Sequence, residues 1–439
     1  MTKQIVFALT LLLTLGIFTF TTLRLIHLFK LTKPAFPVTN IGKRIWITLK
    51  VAIGQTKIFR RPVIGLAHAL VFWGFCVILF GSIEMIIDGL TGTEKALKVL
   101  GPFYDLMTAS GDIFSFLIFF LIVIFLTRRN LMNVRRFEGI EMKKIMHTDA
   151  NLALTLILLL MISLTWMNAY YCKMQFVSAR EIEGFYPVGN IIMIFINDIP
   201  YRSLKIIYEL FWWSHLLLIF LFANLLPYSK HFHVFLSVPN VFLSRLDMLG
   251  KLPEMVHVKK EVRLILDPDS EPAIASYNSV NLRFGVKDCE DVTWKNYLDS
   301  LACTQCGRCT SVCPANLTGK RLSPRKIMMD LRARMKEKGS GLIKHGNEFD
   351  DQKSLIRDYI TEEELWACTT CQACAQECPI NINHPTLIVD LRRYLVMEEG
   401  SAPGGLKTSF SNVENNGAPW QFSPEDRMLW AKDLKYNSN

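Results

Sequence analysis

Five long apolar runs, separated by shorter polar stretches, set the pattern of the first half of the chain. They predict helices over about 5–29, 63–87, 111–127, 149–169 and 205–226. Each is near the length a helix needs to cross ~30 Å of hydrocarbon at 1.5 Å per residue. The first run lacks a small-x-small cleavage signal and ends in Arg24, His27 and Lys30, so it reads as a retained span. Beyond about residue 240 the pattern shifts to short amphipathic runs with helix-start signals. Ser323-Pro324 supplies a cap and a first-turn proline for a run expected to close at Gly339. Thr361 with Glu364 forms a capping box. Asp267-Pro-Asp-Ser-Glu-Pro272 reads as turns, and the Gly-, Pro-, Ser- and Asn-rich stretch 401–439 as disordered, with Trp420 and Trp430 available for docking. The expected fold class is all-α: a five-helix transmembrane bundle (1–240), a connector (241–290), an α-helical domain (291–400) and a tail (401–439).

Composition agrees with a membrane portion: 51% of the 439 residues are hydrophobic, with 29 Phe. The net charge of +10 does not indicate nucleic acid, because the basic residues cluster beside the apolar runs. Segment 29–62 carries Lys30, Lys33, Lys43, Arg44, Lys50, Lys57, Arg60 and Arg61 and no acid. Segment 128–147 carries Arg128, Arg129, Arg135, Arg136, Lys143 and Lys144. The positive-inside rule turns both segments to the cytoplasm of a bacterial inner membrane, and with them everything after the fifth span.

Two cysteine runs then define the chemistry. Cys303-Thr-Gln-Cys306-Gly-Arg-Cys309-Thr-Ser-Val-Cys313-Pro314 and Cys368-Thr-Thr-Cys371-Gln-Ala-Cys374-Ala-Gln-Glu-Cys378-Pro379 both read C-x2-C-x2-C-x3-C-P. In two-cluster ferredoxins the fourth cysteine of each run serves the other cluster. This assigns Cys303, Cys306, Cys309 and Cys378 to one [4Fe-4S] centre and Cys368, Cys371, Cys374 and Cys313 to the second. Structural zinc uses paired C-x2-C motifs rather than two identical triplets with a trailing C-P, and disulfides do not persist in a reducing cytoplasm. Cys76, Cys172 and Cys289 are left as structural thiols.

Ionisable residues inside spans mark function by default. His68 lies early in the second span and His215 in the middle of the fifth, with His231 and His233 just beyond its end. On a continuous helix His215 and His233 share a face about 27 Å apart, while His231 falls roughly 160° away. Histidines on facing helices are common haem ligands. An inner site would pair His233 with His68, with His147 or His27 in reserve. His215 would hold a five-coordinate haem, pair with His68, or touch a quinone. The absence of C-x-x-C-H excludes c-type haem. Structural histidines are the competing reading. Glu84 is a candidate proton acceptor for quinone chemistry, against the alternative of a carboxylate in headgroup water; Asp88 lies beside it.

The stretch from His215 through Pro227-Tyr-Ser-Lys230-His-Phe-His233 to Ser237-Val-Pro239 resembles the last span of the respiratory nitrate reductase gamma subunit, a five-span, di-haem b, quinol-oxidising protein. The resemblance implies that His68 and His233 hold the cytoplasmic-side haem and His215 the outer one. The family's second histidine of span two is Ile78 here, so the outer haem lacks a ligand. Residues of roughly 285–400 resemble the α-helical ferredoxin domain found in the C subunits of heterodisulfide reductase and of glycerol-3-phosphate dehydrogenase, through the eight cysteines, Trp294 and Leu322-Ser-Pro324-Arg-Lys. The two motifs are each trailed by a similar helix, ending Asp330-Leu-Arg and Asp390-Leu-Arg.

No Cys-Cys-Gly motif, nucleotide-binding G-x-G-x-x-G or molybdenum-type domain is present. The expected role is therefore an electron-transfer subunit between quinone, haem b and two clusters. Its soluble-substrate site would lie on a partner, a Cys-Cys-Gly iron–sulfur protein or a flavoprotein. A haem-free ferredoxin anchor and a redox sensor are the other readings.

Overall fold

The computed structural model describes residues 2–267, 283–346, 348–432 and 434. The expected turns beyond Asp267 lie outside the described residues. Among the described residues there is no strand, only the isolated bridges Lys33↔Thr293 and Ile356↔Ile360. The helices are α1 (Thr2–Lys30), α2 (Ile41–Thr48), α3 (Pro62–Thr91), α4 (Pro102–Asn130), α5 (Lys144–Val177), α6 (Pro187–Met193), α7 (Tyr201–Leu225), α8 (His233–Phe242) and α9 (Val256–Leu266). After them come α10 (Trp294–Ala302), α11 (Arg308–Ser311), α12 (Pro314–Leu317), α13 (Pro324–His345), α14 (Glu362–Trp366), α15 (Ala373–Glu377), α16 (His384–Met397) and α17 (Gly404–Asn416).

Helices α1, α3, α4, α5 and α7 are long and apolar enough to cross a membrane, which gives the five expected spans. They run past the apolar cores read from sequence because polar residues at their ends extend beyond the hydrocarbon. Helix α4 starts at Pro102, whose fixed φ suits a first helical turn. Helix α5 packs on α4 and α7, α4 on α3, and α1 on α3 and α7. Leu9, Leu12, Leu13 and Phe20 of α1 face outward, as lipid-facing positions do.

The fifth span does not continue to His233. Helix α7 ends at Leu225 and a 3₁₀ turn holds Pro227. Ser229 is then extended (φ −92°, ψ 159°), its Oγ accepting the His231 N–H at 3.1 Å. Proline cannot continue the hydrogen-bond ladder, so the chain turns and α8 begins at His233. The continuous helix on which the expected 27 Å separation rests is therefore not formed.

The C-terminal half sits against the basic ends of the spans. Its core joins Leu28 of α1 to Tyr297, Leu301, Ile327, Met328, Leu331 and Leu391. Helix α13 passes through Gly339 and ends at His345. Gly339 is no stop signal: a Cβ there would come within 2.5 Å of Leu28, so the glycine lets α13 lie close to α1. The Thr361–Glu364 capping box forms at the start of α14. The tail also differs from expectation: 404–416 is helical, while Trp420 and Trp430 are exposed.

Candidate metal centres and the histidine cavity

Each cysteine run is shaped by its backbone. In the first, Cys303 ends α10, Gln305 is left-handed (φ 57°), and Gly307 (φ 73°) precedes α11, which carries Cys309. In the second, Thr370 (φ 55°) and Gln372 (φ 63°) take the same two positions, and α15 carries Cys374. Non-glycine residues rarely adopt this conformation. At both places the N–H of the left-handed residue, Gln305 or Thr370, meets the sulfur two positions before it, the kind of backbone contact that favours an anionic sulfur. The Thr370 N–H lies 3.4 Å from Cys368 Sγ.

The sulfurs fall into two sets by mutual charge interaction. Cys309 interacts with Cys303, Cys306 and Cys378, and least with Cys374 of the other run, while Cys378 interacts with Cys306 and Cys303. Cys374 interacts with Cys368, Cys313 and Cys371, and Cys368 with Cys313 and Cys371. Thus the structure brings the fourth cysteine of each run to the other run's triplet. Burial, reinforced by the neighbouring sulfurs and partly offset by backbone N–H groups, pushes the Cys303 thiol up to about 11 and the Cys378 thiol up to about 12. Thiols crowded in this way need a cationic core before they ionise together. Among the described residues, no three of these sulfurs lie within 4.8 Å of one another. A zinc tetrahedron at ~2.3 Å would hold them about 3.8 Å apart. The donors therefore fit an object larger than a single ion, as a [4Fe-4S] cubane is.

The two sets differ in exposure. Cys303, Cys309 and Cys378 are buried and Cys306 faces an internal cavity. Cys371 of the second set is exposed and Cys368 half-buried.

That cavity, about 460 Å³, carries His68, His215, His231 and His233 on its wall and extends to Cys306, Arg308 and Pro379. The rest is mainly apolar, including Ile78, Phe125, Leu160 and Phe222. His68 and His233 lie near enough for their charges to interact, and the His231 and His233 rings are 6.0 Å apart. His215 directs Nδ1 to Ser163 Oγ at 2.9 Å and Leu160 O at 3.1 Å. His233 directs Nδ1 to Lys230 O at 3.3 Å. Such anchoring fixes the tautomer and leaves Nε2 for a ligand. Burial holds the His233 imidazole down at about 4, hence neutral at physiological pH. Nδ1 of His68 is buried with no protein partner. These features fit a haem-sized apolar ligand. His147 and His27 do not line the cavity; His27 is exposed and binds Leu23 O.

Toward the opposite ends of the spans, a cavity of about 60 Å³ joins His215 to Ser82, Glu84, Lys95, Asp112 and Tyr186. Glu84 is 4% exposed, not in headgroup water; it accepts from the Leu97 N–H at 3.0 Å and from Tyr104 at 3.2 Å. Sequence reasoning missed Lys95 and Asp112. Lys95 donates to Tyr186 at 2.6 Å. Asp112 accepts from Asn168 and from the Val188 and Gly189 N–H groups at the start of α6, a structural cap. Asp88 likewise caps the Lys95 and Ala96 N–H groups. Lys95 lies outside any apolar run, so only folding brings it in.

Residues 302–382 match the family of the 4Fe-4S dicluster domain. A probable iron-sulfur-binding oxidoreductase of Bacillus subtilis is 30% identical over 416 residues, 88% of this chain and 54% of the relative. An EtfAB:quinone oxidoreductase of Syntrophomonas wolfei is 27% identical over 416 residues, 89% of this chain and 54% of the relative. A probable membrane-anchored ferredoxin of Chromohalobacter salexigens is 37% identical over 164 residues, 34% of this chain and 24% of the relative. Shorter matches reach the heterodisulfide reductases of Methanosarcina species. The chain spans about half the length of the first two relatives. No solved structure matches. The chain is thus a 4Fe-4S dicluster domain joined to five apolar helices, and similar to iron–sulfur oxidoreductases.

Proposed function

We propose that this chain is the membrane subunit of an oxidoreductase, carrying electrons between the quinone pool and a cytoplasmic redox partner. The observation that carries the reading is the single cavity lined by His68, His215 and His233 that ends against Cys306. In this reading residues 1–240 form a cytochrome b-like unit akin to nitrate reductase gamma, followed by a connector to 290, a two-cluster ferredoxin domain to 400 and a tail. Cys303, Cys306, Cys309 and Cys378 hold the inner [4Fe-4S] centre; Cys368, Cys371, Cys374 and Cys313 hold the outer. His68 and His233 offer imidazole nitrogens for one haem b iron. When bound, haem b would supply a one-electron relay at that depth.

His215 lies between this site and Glu84, where a quinone headgroup would meet a proton acceptor held by Leu97 and Tyr104. The exposure of Cys371 supports docking of the soluble partner at the second cluster. That partner is a flavoprotein or a Cys-Cys-Gly iron–sulfur protein, and the relative named for EtfAB and quinone supports the quinone end. The basic span ends and the ferredoxin domain face the cytoplasm of a bacterial inner membrane.

The test is a reduced-minus-oxidised spectrum of anaerobically purified protein. A b-type α band is expected, lost in both His68→Ala and His233→Ala but kept in His231→Ala. A flat spectrum with intact clusters makes the chain a haem-free ferredoxin anchor and overturns the cytochrome reading.

A further inference from the structure

The cluster-side end of the large cavity gathers cations, and the anionic candidate on its wall is Cys306, whose charge acts on Arg136 and Arg308. Arg128, Arg129, Arg136, Lys230 and Arg308 line it, and no carboxylate does. Two of the five are engaged by the protein. Lys230 donates to Met146 O, and Arg308 to Lys57 O and Ile58 O at 2.9 and 3.2 Å. The other three make no ion pair and donate no side-chain hydrogen bond among the described residues. Nε and Nη2 of Arg129 and Nε of Arg136 are buried without a partner. Both guanidinium groups stand against the same ring, Phe137, at 5.2 and 5.1 Å from its centroid. The carboxylate that acts on Arg129, Asp149, accepts the Lys230 N–H at 3.2 Å and forms no ion pair among the described residues.

An unpaired buried guanidinium is costly, and three around one apolar cavity repel one another. The arrangement suits a ligand with an apolar body and more than one anionic oxygen group at one end. We propose that Arg128, Arg129 and Arg136 form the seat for the carboxylates of the haem that His68 and His233 would hold. This rests on the cytochrome reading above. The same chemistry is offered by an anionic lipid headgroup with its acyl chains in the cavity, and the test separates the two.

Full-length chain is produced in cells blocked in haem synthesis, then titrated with haem and with its dimethyl ester, which keeps iron and macrocycle but removes both charges. The wild type is expected to bind haem at least about tenfold more tightly than the ester, as charge-assisted hydrogen bonds would give. The double variant R129Q/R136Q is expected to lose that preference while its affinity for the ester holds. Unchanged iron–sulfur electron paramagnetic resonance (EPR) signals in the variant certify its fold, and the ester comparison in the wild type needs no variant. Equal binding of haem and ester by the wild type overturns the proposal and leaves the cytochrome reading standing. Binding of neither overturns both. Phosphatidylglycerol retained by the wild type and lost from R129Q/R136Q, with no haem-over-ester preference, reassigns the seat to lipid and overturns the proposal.

Discussion

At the residue scale, the two sulfur sets carry the sharpest expectation. Cys306 and Cys378 stand 72 positions apart in the chain yet interact, whereas Cys374, only four residues from Cys378, joins the other set. Cys306→Ser and Cys378→Ser should therefore erase the same cluster signal, and Cys374→Ser the other. Each should lower non-haem iron by about half. EPR of dithionite-reduced protein reads this directly; loss of the same signal from Cys374→Ser and Cys378→Ser would refute crossed ligation. The crossing was legible from the trailing cysteine-proline of each run. The left-handed Gln305, Thr370 and Gln372 were not, because no propensity places glutamine or threonine there; the demand comes from the loop's approach to its sulfurs.

At the scale of elements, α13 is the beam of the ferredoxin domain. Its Arg334 is wholly buried and binds Asp288 through Nε and Nη2 at 2.8 and 2.6 Å, with Asp351 bound at 2.6 and 2.8 Å. Lys338 adds bonds to Asp288 and Glu290 at 2.8 and 2.7 Å. These pairs account for the acidic group around Cys289, which needs no metal. Arg334→Met leaves Asp351 without its cation and Asp288 with Lys338 alone, and removing one partner of a buried pair costs about 3–5 kcal/mol. The thermal midpoint for cluster bleaching should fall by about 10 °C or more; a shift within error would show that the network is dispensable. From sequence, Arg334 was one charge among many on an amphipathic run. Only the folded position of Asp288 shows its burial.

At the scale of the molecule, the two halves are locked by Arg325. Its guanidinium donates to Glu141 at 2.7 Å and to the carbonyls of Arg136 and Glu138 at 2.7 and 2.8 Å, on the loop between α4 and α5. Ser323 adds a bond to Glu141 at 2.7 Å. Beside this clamp the Gly307 Cβ position falls 2.3 Å from Arg136 O, so the first cysteine run lies directly on the membrane half. Glu141→Gln weakens a buried charged pair at this joint without touching any cysteine or histidine. Quinol-driven cluster reduction, followed by stopped-flow bleaching, should slow at least about tenfold while dithionite reduction is unchanged. An unaltered quinol rate would mean that the joint does not position the relay.

The sequence by itself determined the spans, the cysteine runs and the all-α class, because hydrophobic length and ligand spacing are local properties that neighbours along the chain must satisfy. It also selected His68, His215 and His233, since an ionisable group amid apolar residues is conspicuous. The tertiary structure alone decided that these histidines share a cavity with Cys306, that Gly339 admits α1 rather than ending a helix, and that Arg129 and Arg136 face inward with no carboxylate to meet them. Each of these depends on groups far apart in the chain: a break at Pro227 and Ser229 redirects the backbone, and no local pattern records where the redirected segment arrives.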